Sequence, residues 1–144
     1  MKKNSIIICI LFTLIVMVST GITFFYLQGR QSTPPNSLVI EREGKNTVVD
    51  FSTLSLESFS GTVVNGKGQS KEVSGQGIRI DKLIGDSGFT EARVVADDEY
   101  NAVVKPADTA NAWIQIESGK ARLIVFGDSD SKRAVKNVVR IEVK

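Results

Sequence analysis

Residues 113–126 read WIQIESGKARLIVF, and this stretch decides the fold. Trp113-Ile114-Gln115-Ile116 alternates apolar and polar side chains, the period of a half-buried strand. Ala121 to Phe126 is a second strand. Ser118-Gly119-Lys120 between them supplies turn residues, so the pair reads as a β-hairpin. Working outward, Val138 to Val143 closes the chain as a strand, and Ala92–Ala96 and Asn101–Val104 are strands around Asp97-Asp98-Glu99. Asp81 to Ile84 reads as a short helix capped by Asp81 and stopped by Gly85 or Gly88. Gly61–Val64 and Lys71–Val73 bracket the turn Asn65-Gly66-Lys67-Gly68. Thr53 to Phe59 reads as a short helical turn. Leu38–Ile40 and Thr47–Phe51 form a hairpin around Glu41 to Asn46. The pattern predicts a β-rich α+β domain of about 105 residues, enough chain for one core and not two. No internal repeat is visible.

The opposite end of the chain has a different character. Residues 1–5 carry Lys2 and Lys3, and Ile6 to Leu27 then runs for 22 residues without a charge. At about 1.5 Å per residue this spans roughly 33 Å, the hydrocarbon thickness of a bilayer. A cleaved signal peptide has a shorter apolar region, and Ile22 to Leu27 continues past the small residues Ser19-Thr20-Gly21. Cys9 stands too early for a lipoprotein signal. The expected organisation is a head at 1–5, a transmembrane anchor at 6–28, a linker at 29–37 containing Pro34-Pro35, and a domain at 38–144. Lys and Arg are nearly balanced across the span (Lys2 and Lys3 against Arg30, Arg42 and Lys45), so the positive-inside rule is indecisive. The short basic head followed directly by the apolar run has secretory form. It places the domain on the extracytoplasmic side of the cell membrane, held by a single pass.

In the domain at 38–144, 15 cations face 16 acids, a net charge of −1. The folded part therefore carries no basic excess for nucleic acid. It also has no cysteine and no histidine, since Cys9 is the sole cysteine and the histidine count is 0. Disulfides, thiol nucleophiles, Ser-His-Asp catalysis and imidazole or thiolate metal sites are all excluded there.

Four segments resemble the oxidoreductase molybdopterin-binding domain, the sulfite oxidase-like fold. Gly77-Ile78-Arg79-Ile80-Asp81-Lys82-Leu83-Ile84 is similar to that family's Gly-Val-x-Leu-x-x-Leu-Leu segment, followed by Gly88. Ala96-Asp97-Asp98-Glu99-Tyr100 is similar to its Ala-x-Asp-Gly-Tyr, with Glu99 in place of the glycine. Arg122-Leu123-Ile124-Val125 resembles its Arg-Leu-Val strand, and Lys136 to Val143 its last strand. The resemblance implies a small mixed sheet or sandwich, and molybdopterin as the cofactor of its catalytic members. Those members ligate molybdenum through a cysteine thiolate and commonly hold the pterin with a histidine. Neither residue is present here, and the domain is shorter than a catalytic core. It reads as a reduced, non-catalytic member, an accessory to a membrane-associated redox partner or a binder of a small anionic or pterin-like ligand. A genuine molybdopterin-dependent subunit and a structural or adhesive surface module are the alternatives.

The candidate ligand site is the loop Gly127 to Asn137 (GDSDSKRAVKN), where Ser129, Ser131, Lys132, Arg133 and Lys136 can hold an anion through cations, hydroxyls and amides. Asp128 and Asp130 offset part of that charge, and the ordinary reading is a solvated turn. Asp97-Asp98-Glu99 with Asp86 or Asp108 offers oxygens to Ca²⁺, which needs about 6–8 of them, but no Asp-x-Asp-x-Asp-Gly loop is present. The same acids supply no specific glycosidase pair. Asn65-Gly66-Lys67-Gly68 and Gly75-Gln76-Gly77 are too short for phosphate-cradling loops and read as turns. No covalent flavin attachment motif occurs. Tyr100, Trp113 and Phe126 sit in strand-like alternation, where a core position is the default.

Overall fold

The computed structural model describes residues 2–29, 33–85 and 88–144, with side chains of the first segment described over 6–24. It divides into two compact units, residues 1–32 and Thr33–Lys144. The first is one helix, α1 (Lys2–Gly29), whose segment Ile6–Phe24 is long and apolar enough to cross a membrane. Its described apolar side chains are exposed around the whole circumference. Its hydroxyls turn back on the helix itself. Thr13 donates to the Cys9 carbonyl at 2.8 Å, Thr20 to Val16 at 2.5 Å and Thr23 to Ser19 at 2.9 Å. Polar groups satisfied in this way need no water, as a hydrocarbon surround requires.

The second unit is β-rich and holds two sheets. Its strands are β1 (Ser37–Arg42), β2 (Lys45–Asp50), β3 (Glu57–Val64), β4 (Ser70–Arg79), β5 (Ala92–Ala96), β6 (Asn101–Val104), β7 (Ala112–Glu117), β8 (Lys120–Val125) and β9 (Val138–Val143). One sheet has the order β2-β1-β9-β5-β6, the other β3-β4-β7-β8. All neighbours are antiparallel except β1 and β9, which run parallel and make the larger sheet mixed. The inward residues of both sheets meet in a single core. Leu38, Val94, Val104 and Ile141 from one side and Ile114 and Leu123 from the other are fully buried. β1 begins at Ser37, which is itself buried and belongs to the stretch expected as a linker; residues 30–32 of that stretch lie outside the described residues.

The hairpins at β1–β2 and β7–β8 both turn through two residues, tighter than their sequences suggest. Glu43-Gly44 has φ values of 50° and 74°, and Ser118-Gly119 of 51° and 73°. Two successive left-handed residues give the turn whose twist matches that of the flanking strands. Two short helical elements differ from expectation. The helical turn expected at Thr53–Phe59 forms earlier, as a 3-10 turn over Phe51–Thr53, and residues from Glu57 onward belong to β3. The cause is Asp50, whose Oδ1 accepts from the Ser52 N–H at 2.8 Å and the Ser52 hydroxyl at 2.7 Å while Phe51 is buried. Likewise Asp81 does not cap α2 (Ile80–Ile84). It lies inside the first turn, bonded to the Arg79 guanidinium at 2.9 and 3.1 Å. Gly85, at φ 77°, ends that helix as expected.

Gly75-Gln76-Gly77 is strand, not turn. Both glycines lie in β4, and their lack of a side chain lets it pass close to its neighbours. A Cβ on Gly77 would collide with the Ile114 carbonyl of β7, and one on Gly75 would stand 2.6 Å from the Gln115 amide. Only Gly77–Arg79 of β4 pairs with β7, whereas β3 and β4 stay paired from Glu57–Gly77 to Val64–Ser70. The hairpin therefore runs past the sheet. Phe59, Gly61 and Val63 share one of its faces with Gly75, Val73 and Lys71, their cross-strand partners. That face covers the outer surface of β7 and β8. Phe59 stacks on Trp113 at 5.3 Å and Phe126 at 5.9 Å, and a Cβ on Gly61 would stand 2.6 Å from the Phe126 ring.

A cationic cleft beneath the bent hairpin

Where the β3–β4 hairpin rises off β8, it leaves a cleft of about 360 Å³. Its floor is apolar, from Val63 and Val73 on the hairpin and Ile124 on β8. Its rim carries Lys71, Arg122 and Lys136, with Asn65 and Gly66 at the hairpin tip and Ser131 on the loop between β8 and β9. Tip and loop are close: a Cβ on Gly66 would lie 3.7 Å from the Ser131 hydroxyl oxygen. The tip is held by Asn65, whose Oδ1 accepts the Lys67 N–H at 2.9 Å and the Gln69 N–H at 3.0 Å.

The loop 127–137 is fastened rather than loosely solvated. Val135 is completely buried, and its carbonyl accepts the Leu123 N–H at 2.8 Å, which blunts the free edge of β8. The Tyr100 hydroxyl donates to the Lys132 carbonyl at 2.5 Å. Arg133 is the strongest tie. Its Nε donates to Asp128 Oδ2 at 2.8 Å, its Nη2 to Asp128 Oδ1, and its Nη1 to Asp108 Oδ2 at 2.7 Å. These bonds, those to Asp128 foremost, raise the guanidinium pKa against the opposing effect of burial. The same contact holds the Asp108 carboxyl below its usual range. Asp130 is lowered as well, first by the Lys132 backbone N–H at 2.9 Å.

The five loop residues singled out by sequence therefore separate. Ser131 and Lys136 line the cleft. Ser129 is exposed outside it, and Lys132 reaches into solvent, its Nζ 3.3 Å from Asp130. Arg133 is turned inward and spent on two carboxylates. The sequence reading missed Lys71 and Arg122. Its available signal was the unbroken apolar run Leu123-Ile124-Val125-Phe126, because a strand apolar on both faces must be covered on both. The aromatic expectation is corrected too. Tyr100 is 48% exposed, and Trp113 and Phe126 are half-buried on the outer face instead of in the main core.

The acidic candidates do not converge. Asp98 accepts the Tyr100 N–H at 3.1 Å, Glu99 lies 3.8 Å from Arg140, Asp108 is held by Arg133, and Asp86 lies outside the described residues. Among the described residues no group of three or more carboxylates is gathered as a metal would need. In the cleft, the two acids Asp128 and Asp130 already have cationic partners, whereas Lys71, Arg122 and Lys136 make no ion pair with any described residue. The lining offers ammonium, guanidinium, hydroxyl and amide groups beside the two ion-paired carboxylates, with no thiolate or imidazole. It suits an anion, and it does not fit the molybdenum end of a molybdopterin. No protein-family model and no curated protein matches this chain.

Proposed function

We propose that the chain is a membrane-tethered, non-catalytic binding domain that takes a small anionic ligand in the cleft beneath the β3–β4 hairpin. The observation that carries this reading is the unequal treatment of cations in one neighbourhood. Arg133 is neutralised within the fold, while Lys71, Arg122 and Lys136 surround a concave space without a carboxylate of their own. Uncompensated like charges around one cavity repel each other, so an anion entering it gains from all three. The apolar segment Ile6–Phe24 supports the tether, and the secretory form of the head supports an extracytoplasmic domain. The segment-wise resemblance to the sulfite oxidase-like fold supports a common ancestry with molybdopterin-binding oxidoreductases. It also supports a redox enzyme of the same membrane as the partner served.

The test is calorimetric titration of inorganic pyrophosphate into the full chain held in dodecyl maltoside micelles. Binding by the unaltered chain, weakened roughly tenfold or more in Arg122→Gln, is the expected result, the scale set by loss of a charge-assisted hydrogen bond. Equal heats from both proteins, or none from either, would dispose of the cleft as the binding site. The side of the membrane is checked separately, by protease access to the domain in sealed cells.

A further inference from the structure

We infer that the cleft is one half of a two-lobed groove built for a phosphodiester bearing an apolar group on one side and a hydroxyl-rich group on the other. This rests on the anion-binding reading above. The carrying observation is a shared wall: Arg122 and Lys136 line both the cleft of about 360 Å³ and a second depression of about 260 Å³. An anion held by this pair sits on the ridge between two hollows, and whatever is attached to it must lie in one or the other.

The two hollows differ in chemistry. The larger is floored by Val63, Val73 and Ile124. The smaller is walled by Gln115, Glu117, Ser118, Lys120 and Asn137, which offer amides, a hydroxyl and opposite charges. Glu117 there disfavours a second phosphate and accepts hydrogen bonds from hydroxyls. A phosphate monoester can occupy only one hollow, and a diester occupies both. The diester keeps two non-bridging oxygens, the number that a guanidinium fork grips in parallel, with the Lys136 ammonium free to meet either.

Affinity is read by calorimetry on the full chain in dodecyl maltoside micelles, with four probes: inorganic phosphate, phenyl phosphate, glycerol 3-phosphate and glyceryl phenyl phosphate. The diester is expected to bind about tenfold more tightly than either monoester. Arg122→Gln and Lys136→Gln should each remove that preference, and Lys45→Gln, the same loss of charge on β2 of the other sheet, should leave it intact. If phenyl phosphate binds as well as the diester, the two-lobed site is wrong while the anionic cleft stands. If none of the four binds, both fall. The source of the ligand is separated by repeating the titration in nanodiscs. Affinity for the soluble diester that drops only when phosphatidylglycerol is present identifies a membrane phosphodiester as the occupant. Affinity that falls from its micelle value in both phosphatidylglycerol and phosphatidylcholine discs gives the same answer, since both lipids are phosphodiesters. Affinity unchanged from micelles in both discs identifies a soluble ligand, and each of these results upholds the site.

Discussion

Arg122 and Leu123 are neighbours in β8, yet they face opposite sides of the four-stranded sheet and do opposite work. Leu123 is fully buried between the two sheets, where every apolar surface meets another. Arg122 is exposed on the outer face, where a second cover, the β3–β4 hairpin, is laid down only as far as Phe59, Gly61 and Phe126 allow. The inner face is complete and specifies the fold. The outer face is left unfinished beside a row of cations, and an incomplete cover with unsatisfied charge is what a binding site requires. On the proposed reading, the residues that hold the fold and those that would hold a ligand are separated by one residue step of a strand, because successive side chains point to opposite faces.

The sharpest way to break this comparison is on the inner face. Leu123→Ala should destabilise the domain by about 3 kcal/mol, through lost apolar transfer and the cavity left behind. A denaturant midpoint that barely moved would mean that the inner face is not the core of the domain.

Arg133→Gln comes second. It strands the Asp128 and Asp108 carboxylates, whose side chains are only 16% and 35% exposed. Breaking a buried pair from one side costs about 3–5 kcal/mol, and partial exposure reduces this to roughly 2 kcal/mol here. The loss should appear in the unfolding midpoint of the full chain. Were anion affinity to fall while stability held, Arg133 would belong with the binding cations and not with the fold.

Acid sensitivity sharpens the same distinction at a smaller scale. Asp108 has its folded pKa held below the ordinary 3.8 by the hydrogen bond from Arg133. A carboxylate depressed on folding contributes stability at every pH above its unfolded value, and this is lost as pH falls through the folded value. Stability should therefore be level from neutrality to about pH 5 so far as this group is concerned, and decline below about pH 4. Unfolding midpoints measured across that range should fall less steeply for Arg133→Gln, which lacks the contact. Parallel slopes in the two proteins would detach Asp108 from the strut.

Much of the inner face was legible in the sequence, because half-buried strands announce themselves by period. The bounds of β5, β6 and β9 fall where alternation places them, and Ser118-Gly119 marks its turn by chemistry alone. The outer face was harder to read. Its two hairpins are joined only through the distant pairing of Gly77–Arg79 with β7, and the glycines that permit a close approach, Gly75 and Gly77, resemble turn residues when only their neighbours in sequence are considered. Arg133 was misleading for a related reason. Its nearer partner Asp128 was in view five positions away, but the second, Asp108, lies 25 positions away, and no local window couples it to the loop. Ser131 and Lys136 were visible as loop residues, but Lys71 and Arg122 become part of the same rim only once the hairpin has folded back over β8.

The smallest expected effect is the most telling. Arg122→Gln should leave the unfolding midpoint within about 0.5 kcal/mol of the original, since an exposed side chain without an ion pair supports little. It can even stabilise the chain slightly, because it relieves repulsion from Lys136 across the shared wall. Raising salt should mimic that gain in the unaltered chain and add nothing to the variant, as screening acts on the same repulsion. A marked loss of stability would show that Arg122 holds the hairpin down on β8, which would make the cleft a by-product of packing. A neutral or positive change, with binding lost, is the signature of a residue kept at some cost to the fold because a ligand needs it.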